Sequence, residues 1–422
     1  MSGKNLRYVH SNGAAKWKNI KGIKENVLVP RGKIMRDVVI IGCGMTKFAR
    51  PLPGSLMDIA SEASLKAIED AGASDRDFDA VYFASMACGE FTHQAAVATA
   101  LVDELGLIPA AAHRIENGPA AGATAIREAF LGIASGMYDL VLVTGAEKMS
   151  TVPSEVATDI ISTMTHHEAE YIHGVTLPGL GAMLTRLYMA RYGLTEDQLA
   201  AVAVKNHENG SKNPYAQLSH KKATIAGVKD SVMVADPLRL YHVCPVSDGA
   251  ASLVLCSAEK AREFSSKAIK IAGLGQATDT HAVQEREDPM VLKAVQIAAR
   301  QAFKMARLKP KDIDVAELHD AFEILEIVES EDAGFFPKGK GGKAAEEGKT
   351  ALDGEIAINP SGGLKARGHA LGATGAAQVV ELVWQLRGEA GERQVKGAKN
   401  AFALNFGGFG DNAVVTILRR TK

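Results

Sequence analysis

The 422-residue sequence is poor in cysteine, with Cys43, Cys88, Cys244 and Cys256 widely scattered and no CxxC pair among them. That excludes a zinc-ribbon or disulfide framework built by this chain and fits reduced thiols in a cytoplasmic protein, so no metal site is expected. A charge excess is also lacking. Lys+Arg 48 against Asp+Glu 49 leaves a formal net charge of -1, and bulk electrostatics therefore predict no nucleic-acid partner. No apolar run reaches transmembrane length and the N-terminus has no apolar leader segment, so no membrane association is expected. The last lack is local. "IENGPAAGATAIREAF" (residues 115–130) opens like a loop that presents a nucleophile at a helix N-terminus, with Ile126, Ala129 and Phe130 at helical spacing. Yet neither Cys nor Ser stands between Glu116 and Gly122, and Pro119 occupies the middle of the loop.

What is present suits a large core. Hydrophobic residues make up 46% of the chain, enough for two domains or two fused halves. Residues 1–36 differ from the rest: Lys4, Arg7, Lys16, Lys18, Lys21, Lys24, Arg31, Lys33 and Arg36 face one acid, Glu25. This basic N-terminal extension reads either as a solvated tail or as an arm that wraps a partner, anchored by Tyr8 and Trp17.

From residue 37 the chain echoes itself. "RDVVIIGCGMTKF" and "AIKIAGLGQAT" each read as an apolar strand followed by a glycine turn. A buried strand comes next in both, "FDAVYFASMACG" and "IDVAELHDAF". A glycine-rich loop then runs into an apolar helix, and a further strand segment closes each unit, "YDLVLVTGAEKMS" and "NAFALNFGGFGDNAVVTIL". This order predicts a duplicated α/β unit, one half over 37–265 and the other over 266–422. Residues 151 to about 240 break the pattern and read as a covering loop domain. The Gly- and Lys-rich stretch 336–354 reads as a second flexible cover.

"ELHDAFE", "NPSGGLKARGHALGATGAAQ" and "NFGGFGDNAVV" resemble the thiolase superfamily, in the flavour of its sterol-carrier-protein-type and archaeal-type members. "VIIGCGMTKF", "GMYDLVLVTGAEKMS" and "CPVSDGAASLVL" follow in the family's order. The resemblance implies an α/β thiolase fold: two βαβαβαββ halves forming a five-layer α-β-α-β-α core, a loop domain over a coenzyme A tunnel, and a homodimer. Taken alone, a histidine such as His369 in "GHA" or His319 in "HDAF" also reads as a core or helix-cap residue. By resemblance, His369 deprotonates a thiol and His319 binds a thioester oxygen that becomes enolate-like, with Asn405 as a third catalytic candidate. The same resemblance places Ser361, Gly362, Gly363, Gly407, Gly408, Ser247 and Cys244 around the oxyanion and coenzyme A.

The family's catalytic cysteine falls on Pro119, counting back from Gly122. Proline removes both the thiol and a backbone N–H that serves the oxyanion hole in relatives. The cysteine of the family's C-terminal motif falls on Asn405, and Ala321 stands where some relatives have another. Three functions remain open on these residues: a non-standard thiolase acting on a 3-oxoacyl-CoA, an aromatic or branched one among the options, by direct coenzyme A attack or a displaced cysteine such as Cys244 or Cys88; a retro-aldolase on a 3-hydroxyacyl-CoA; or a non-catalytic acyl-CoA-binding subunit. Coenzyme A enters as substrate or product, with no tightly bound cofactor. The resemblance extends to proteins that act with a small zinc-ribbon/OB-fold (DUF35-type) subunit, among them benzoylsuccinyl-CoA thiolase.

Overall fold

Ten apolar segments form one mixed sheet in the computed structural model, which describes residues 35–74, 76–264 and 267–421. The extension read at 1–36 lies outside these, apart from its last two residues. The first half supplies β1 (Val38–Met45), β2 (Ala80–Ala84), β3 (Ala111–Ile115), β4 (Leu140–Lys148) and β5 (Asp248–Ser257). The second supplies β6 (Ile269–Thr278), β7 (Val315–Glu317), β8 (Ala357–Ile358), β9 (Asn400–Gly407) and β10 (Asn412–Arg420). Their spatial order is β8-β7-β9-β10-β6-β1-β5-β4-β2-β3. Counted within its own half, each unit has the order 3-2-4-5-1, with the same parallel and antiparallel pairings. The echo in the sequence is thus a duplication of topology. The halves meet at β1 and β6, which pair antiparallel through only Val39–Lys270 and Ile40–Ile269.

Helices supply the other layers. The outer face of the first half carries α1 (Leu56–Ala71) and α2 (Val97–Glu104); that of the second carries α7 (Lys293–Ala306). Between the two half-sheets lie α3 (Ala121–Ser135) and α10 (Thr374–Arg387), each touching strands of both halves. This is the five-layer α-β-α-β-α core. The glycine pairs of the two echoing segments lie inside their strands rather than in turns after them. A Cβ on Gly42 or Gly44 would stand 2.1 and 2.5 Å from carbonyls of α1, and one on Gly273 or Gly275 would stand 2.3 and 1.9 Å from carbonyls of α7. Glycine is needed there for backbone approach, so strand and helix pack at short range.

Between β4 and β5 the chain builds α4 (Ser154–Ser162), α5 (Leu177–Tyr192) and α6 (Glu196–Ser211). In the second half, α8 (Glu323–Asp332) follows β7, and α9 (Gly341–Glu346) packs on α6. The glycine-rich stretch expected to be a flexible cover is therefore partly helical and tied down. Gly341 N donates to Glu331 Oε1 at 2.7 Å, and a Cβ on Gly342 would meet Leu194 at 2.4 Å. Composition suggested a mobile loop because glycines serve close packing and flexibility alike.

Candidate functional site

His319 follows β7 directly, and β7 is buried between β8 and β9. Its backbone N–H donates to Glu329 Oε2 on α8 at 2.7 Å. Its ring lies 4.3 Å from that of Phe406 and meets the His369 ring edge-on, with centroids 5.0 Å apart. His369 sits in the turn before α10, where its backbone N–H donates to Ser247 Oγ at 2.9 Å. Glu147 at the end of β4 accepts the N–H of Gly372 at 3.0 Å and those of Met86 and Ala87, so one buried carboxylate ties this turn to the first half.

The hydrogen-bond partners of the two rings favour protons on different nitrogens. Thr374 Oγ1 spends its one proton on Ala370 O at 3.0 Å, so at 2.7 Å from His369 Nδ1 it must accept. With that partner His369 holds its proton on Nδ1 and keeps a bare Nε2. Asn405 Nδ2 lies 2.9 Å from His319 Nδ1. An amide nitrogen only donates, which leaves His319 protonated on Nε2. One imidazole offers a lone pair and its neighbour offers an N–H.

Burial keeps both rings neutral. It holds His319 well below the usual histidine range, helped by His369 and the Arg367 guanidinium, and lowers His369 to about 3, again with help from Arg367. Arg367 is fully buried, 3.5 Å from Glu317 and above the Phe48 ring, and none of its side-chain nitrogens makes a hydrogen bond.

Both histidines line a cavity of about 170 Å³ whose wall includes Pro119 from the first half, Met149, Ile161 and Met164 from the segment around α4, and Phe406 and Phe409 from the second half. Among the described residues its wall carries no Lys, Arg, Asp or Glu. Pro119 stands one residue before Ala120, the N-cap of α3. Of the other residues singled out in the sequence, Cys244 and Gly408 line the cavity. Ser361, Gly362, Gly363, Ser247 and Gly407 do not: Ser361 bonds Glu317 through both its N–H and hydroxyl, Ser247 braces His369 from behind, and a Cβ on Gly363 would strike Asp320. Cys244 faces an apolar wall, and desolvation pushes its thiol up to about 12. Cys88 is buried outside the cavity, its thiol also pushed up by burial. A larger open groove of about 790 Å³, beside Tyr215, Trp384 and Arg393, contains neither His319 nor His369.

Sequence reasoning missed the acids behind the site. Asp320, Glu323 and Glu326 bring their oxygens within 4.8 Å of one another, a spacing that would suit a hard cation. Asn206 Nδ2 lies 3.0, 3.2 and 2.9 Å from oxygens of all three and shares its two N–H groups among them, and Lys205 pairs with Glu326 at 3.0 Å. Burial and mutual repulsion raise Asp320 and Glu323 above the carboxylate range. These donors hold the group only in part, since Glu323 Oε1 and Glu326 Oε1 make no hydrogen bond among the described residues.

Two family models cover most of the chain: the thiolase N-terminal domain matches residues 38–259 and the thiolase C-terminal domain-like model residues 275–420. An acetyl-CoA acetyltransferase of Methanothermobacter thermautotrophicus is 48% identical over 386 residues, which is 92% of this chain and 100% of the relative. Another, of Methanocaldococcus jannaschii, is 46% identical over 91% of this chain and 99% of its own length. Among solved structures, an Ltp2-ChsH2(DUF35) aldolase superposes with a TM-score of 0.80 at 23% identity, covering 92% of this chain and 98% of the other, a likeness of fold. On sequence and architecture together, the chain belongs to the thiolase family.

Proposed function

We propose that this protein is a coenzyme A-dependent thiolase-type acyltransferase that makes or breaks the C2–C3 bond of a 3-oxoacyl-CoA without an acyl-enzyme on the loop at Pro119. One observation carries the reading: a single cavity is lined by His369, His319 and Pro119, with ring partners that favour a bare Nε2 on His369 and an Nε2–H on His319. In the cleavage direction, His369 Nε2 takes the proton of the coenzyme A thiol. The thiolate then attacks the C3 carbonyl, and the C2–C3 bond breaks toward the remaining thioester. His319 Nε2–H stabilises the enolate oxygen as charge develops on it, and protonated His369 returns the proton to C2. Removing either histidine should lower turnover by roughly 10²-fold or more.

The cavity also bears on the acyl group. A dry apolar cavity of about 150 Å³ accepts a benzene ring, so a wall of Met, Ile, Leu and Phe around about 170 Å³ suits an uncharged aromatic or branched group. Pro119 equally favours a second reading, retro-aldol cleavage of a 3-hydroxyacyl-CoA, which needs the same base and enolate site but no thiol. Homodimer formation and a DUF35-type partner complete the proposal; the first rests on the family and the second on the likeness to the aldolase complex.

The test is intact-protein mass spectrometry plus product analysis with 3-oxoacyl- and 3-hydroxyacyl-CoA panels. The proposal expects no adduct and two thioester products that require added coenzyme A. An adduct on Cys244 or Cys88 would defeat it in favour of a displaced nucleophile. A free carbonyl product formed without coenzyme A would establish the aldolase.

A further inference from the structure

We propose that Asn405 is a positioning residue that locks His319 into the tautomer with its proton on Nε2, and that Gly375 is the seat that turns the Asn405 amide the required way. The inference goes beyond the reading above, because it concerns a state of the resting protein that exists with or without substrate.

The amide could face His319 with either end. Turned one way, Nδ2 donates and Nδ1 of the ring must accept; turned the other way, Oδ1 would accept and pull the proton onto Nδ1. The second arrangement would leave a lone pair, not a donor, toward the cavity and would remove the group that stabilises an enolate oxygen. The orientation of one buried amide therefore selects the chemistry of the site.

Gly375 and the head of α3 decide it. Asn405 is 1% exposed, so bulk water cannot satisfy either end of its amide. A Cβ at Gly375 would lie 2.3 Å from Asn405 Oδ1 and 2.4 Å from the backbone nitrogen of Ala123, so oxygen and helix terminus share the space that glycine leaves open. Ala123 is in the first turn of α3, where the unpaired N–H groups and helix dipole present positive charge. A carbonyl oxygen is favoured there and an amide nitrogen is not. Oδ1 nevertheless makes no hydrogen bond, so this end is held by the field and by shape alone. An unsatisfied buried oxygen is costly, about 1–3 kcal/mol in general, and calls for a reason. The 2.9 Å contact at the other end of the same amide supplies it. Glycine near the start of α10 is likewise costly in a helix, and it makes room both for Oδ1 and for the backbone of α3.

The experiment uses the full-length protein labelled with 15N-histidine and reads long-range 1H–15N correlations of the imidazoles, with His319 identified by the signal lost in His319→Gln. The expected spectrum shows a bare Nδ1 and a protonated Nε2, unchanged between about pH 6 and about pH 8 because the ring stays neutral. Asn405→Asp replaces the donor with an acceptor and should reverse the pattern, with kcat falling by about 100-fold. Gly375→Ala, which displaces Oδ1, should give a mixture of tautomers. A protonated Nδ1 in the wild-type protein overturns the proposal, and so does an Asn405→Asp spectrum identical to wild type. If Asn405→Asp does not fold, the wild-type spectrum alone still decides. No substrate is needed, so a protein inactive on every 3-oxoacyl-CoA would sink the proposed function and leave this result standing.

Discussion

In the proposed cleavage His369 is the base, and its surroundings hold it below the usual histidine range. Burial and the Arg367 guanidinium lower it to about 3, so it stays neutral and competent through the mildly acidic range. We expect kcat for coenzyme A-dependent cleavage to stay flat from about pH 8 down to about pH 5; an acidic limb centred near the ordinary histidine value would show that the base is solvated or lies elsewhere. The same burial has a thermodynamic counterpart. His207 and His242 are pushed down to about 4, also chiefly by burial. With His369 they stay neutral in the folded chain while the unfolded chain protonates at about 6.5. Below that value the unfolded state binds more protons, so the stability these groups contribute is complete above about pH 6.5 and declines as pH falls toward the folded values. Each adds up to about 1.4 kcal/mol per pH unit. Urea titrations at a series of pH values should show this slope, reduced in His207→Gln. At Pro119, a cysteine alone should not create ping-pong acyl transfer, since Asn405 and Ala321 leave no second acid/base thiol. Appearance of a stable acyl adduct and ping-pong kinetics in Pro119→Cys would show that one residue suffices.

At the scale of the element, α8 is the surprise. "EILEIVESED" carries Glu323, Glu326, Glu329, Glu331 and Asp332, a composition that reads as a solvated helix, yet every residue of it is buried. Donors that are remote in sequence make this tolerable: Asn206 from α6, Lys205 beside it, Tyr188 from α5, and the N–H of Gly341. Asn206→Asp would put a fourth carboxylate among three and remove their shared donor. It should cost about 3–5 kcal/mol, measured by denaturant unfolding, whereas a cost near zero would mean that water reaches the cluster. This is also where the sequence stops being legible. Strands β1, β2, β4, β6, β7, β9 and β10 could be read because they are apolar runs in a repeated order, and the two histidines because short motifs carry them; β3, no residue of which is buried, and the two-residue β8 give no such signal. Burial of α8, the packing of Gly341 and Gly342 and the orientation of the Asn405 amide depend on partners far away along the chain. No local pattern encodes a partner of that kind.

At the scale of the molecule, the halves share their interior. α3 and α10 cross where Gly122 and Gly375 permit backbone contact, each facing strands of both half-sheets. Arg387 at the end of α10 reaches into the first half, bonding Asp70 at 2.7 Å and Ile41 O at 2.9 Å. Neither half can bury its inner face alone, so unfolding should be one transition in which Trp384 fluorescence and far-ultraviolet circular dichroism coincide. Two separated midpoints would show independent halves. The cavity sharpens the point, because its wall is gathered from Pro119, Met149, the α4 region, the segment around Cys244, the loops bearing His319 and His369, and Phe406 at the end of β9. A chain with all its helices but one stretch undocked has no catalytic chamber at all. On refolding, turnover should therefore return after the helical signal has recovered, and activity becomes a report on the last contact made: a half-folded copy would be inert toward thioesters rather than a leaky, indiscriminate catalyst.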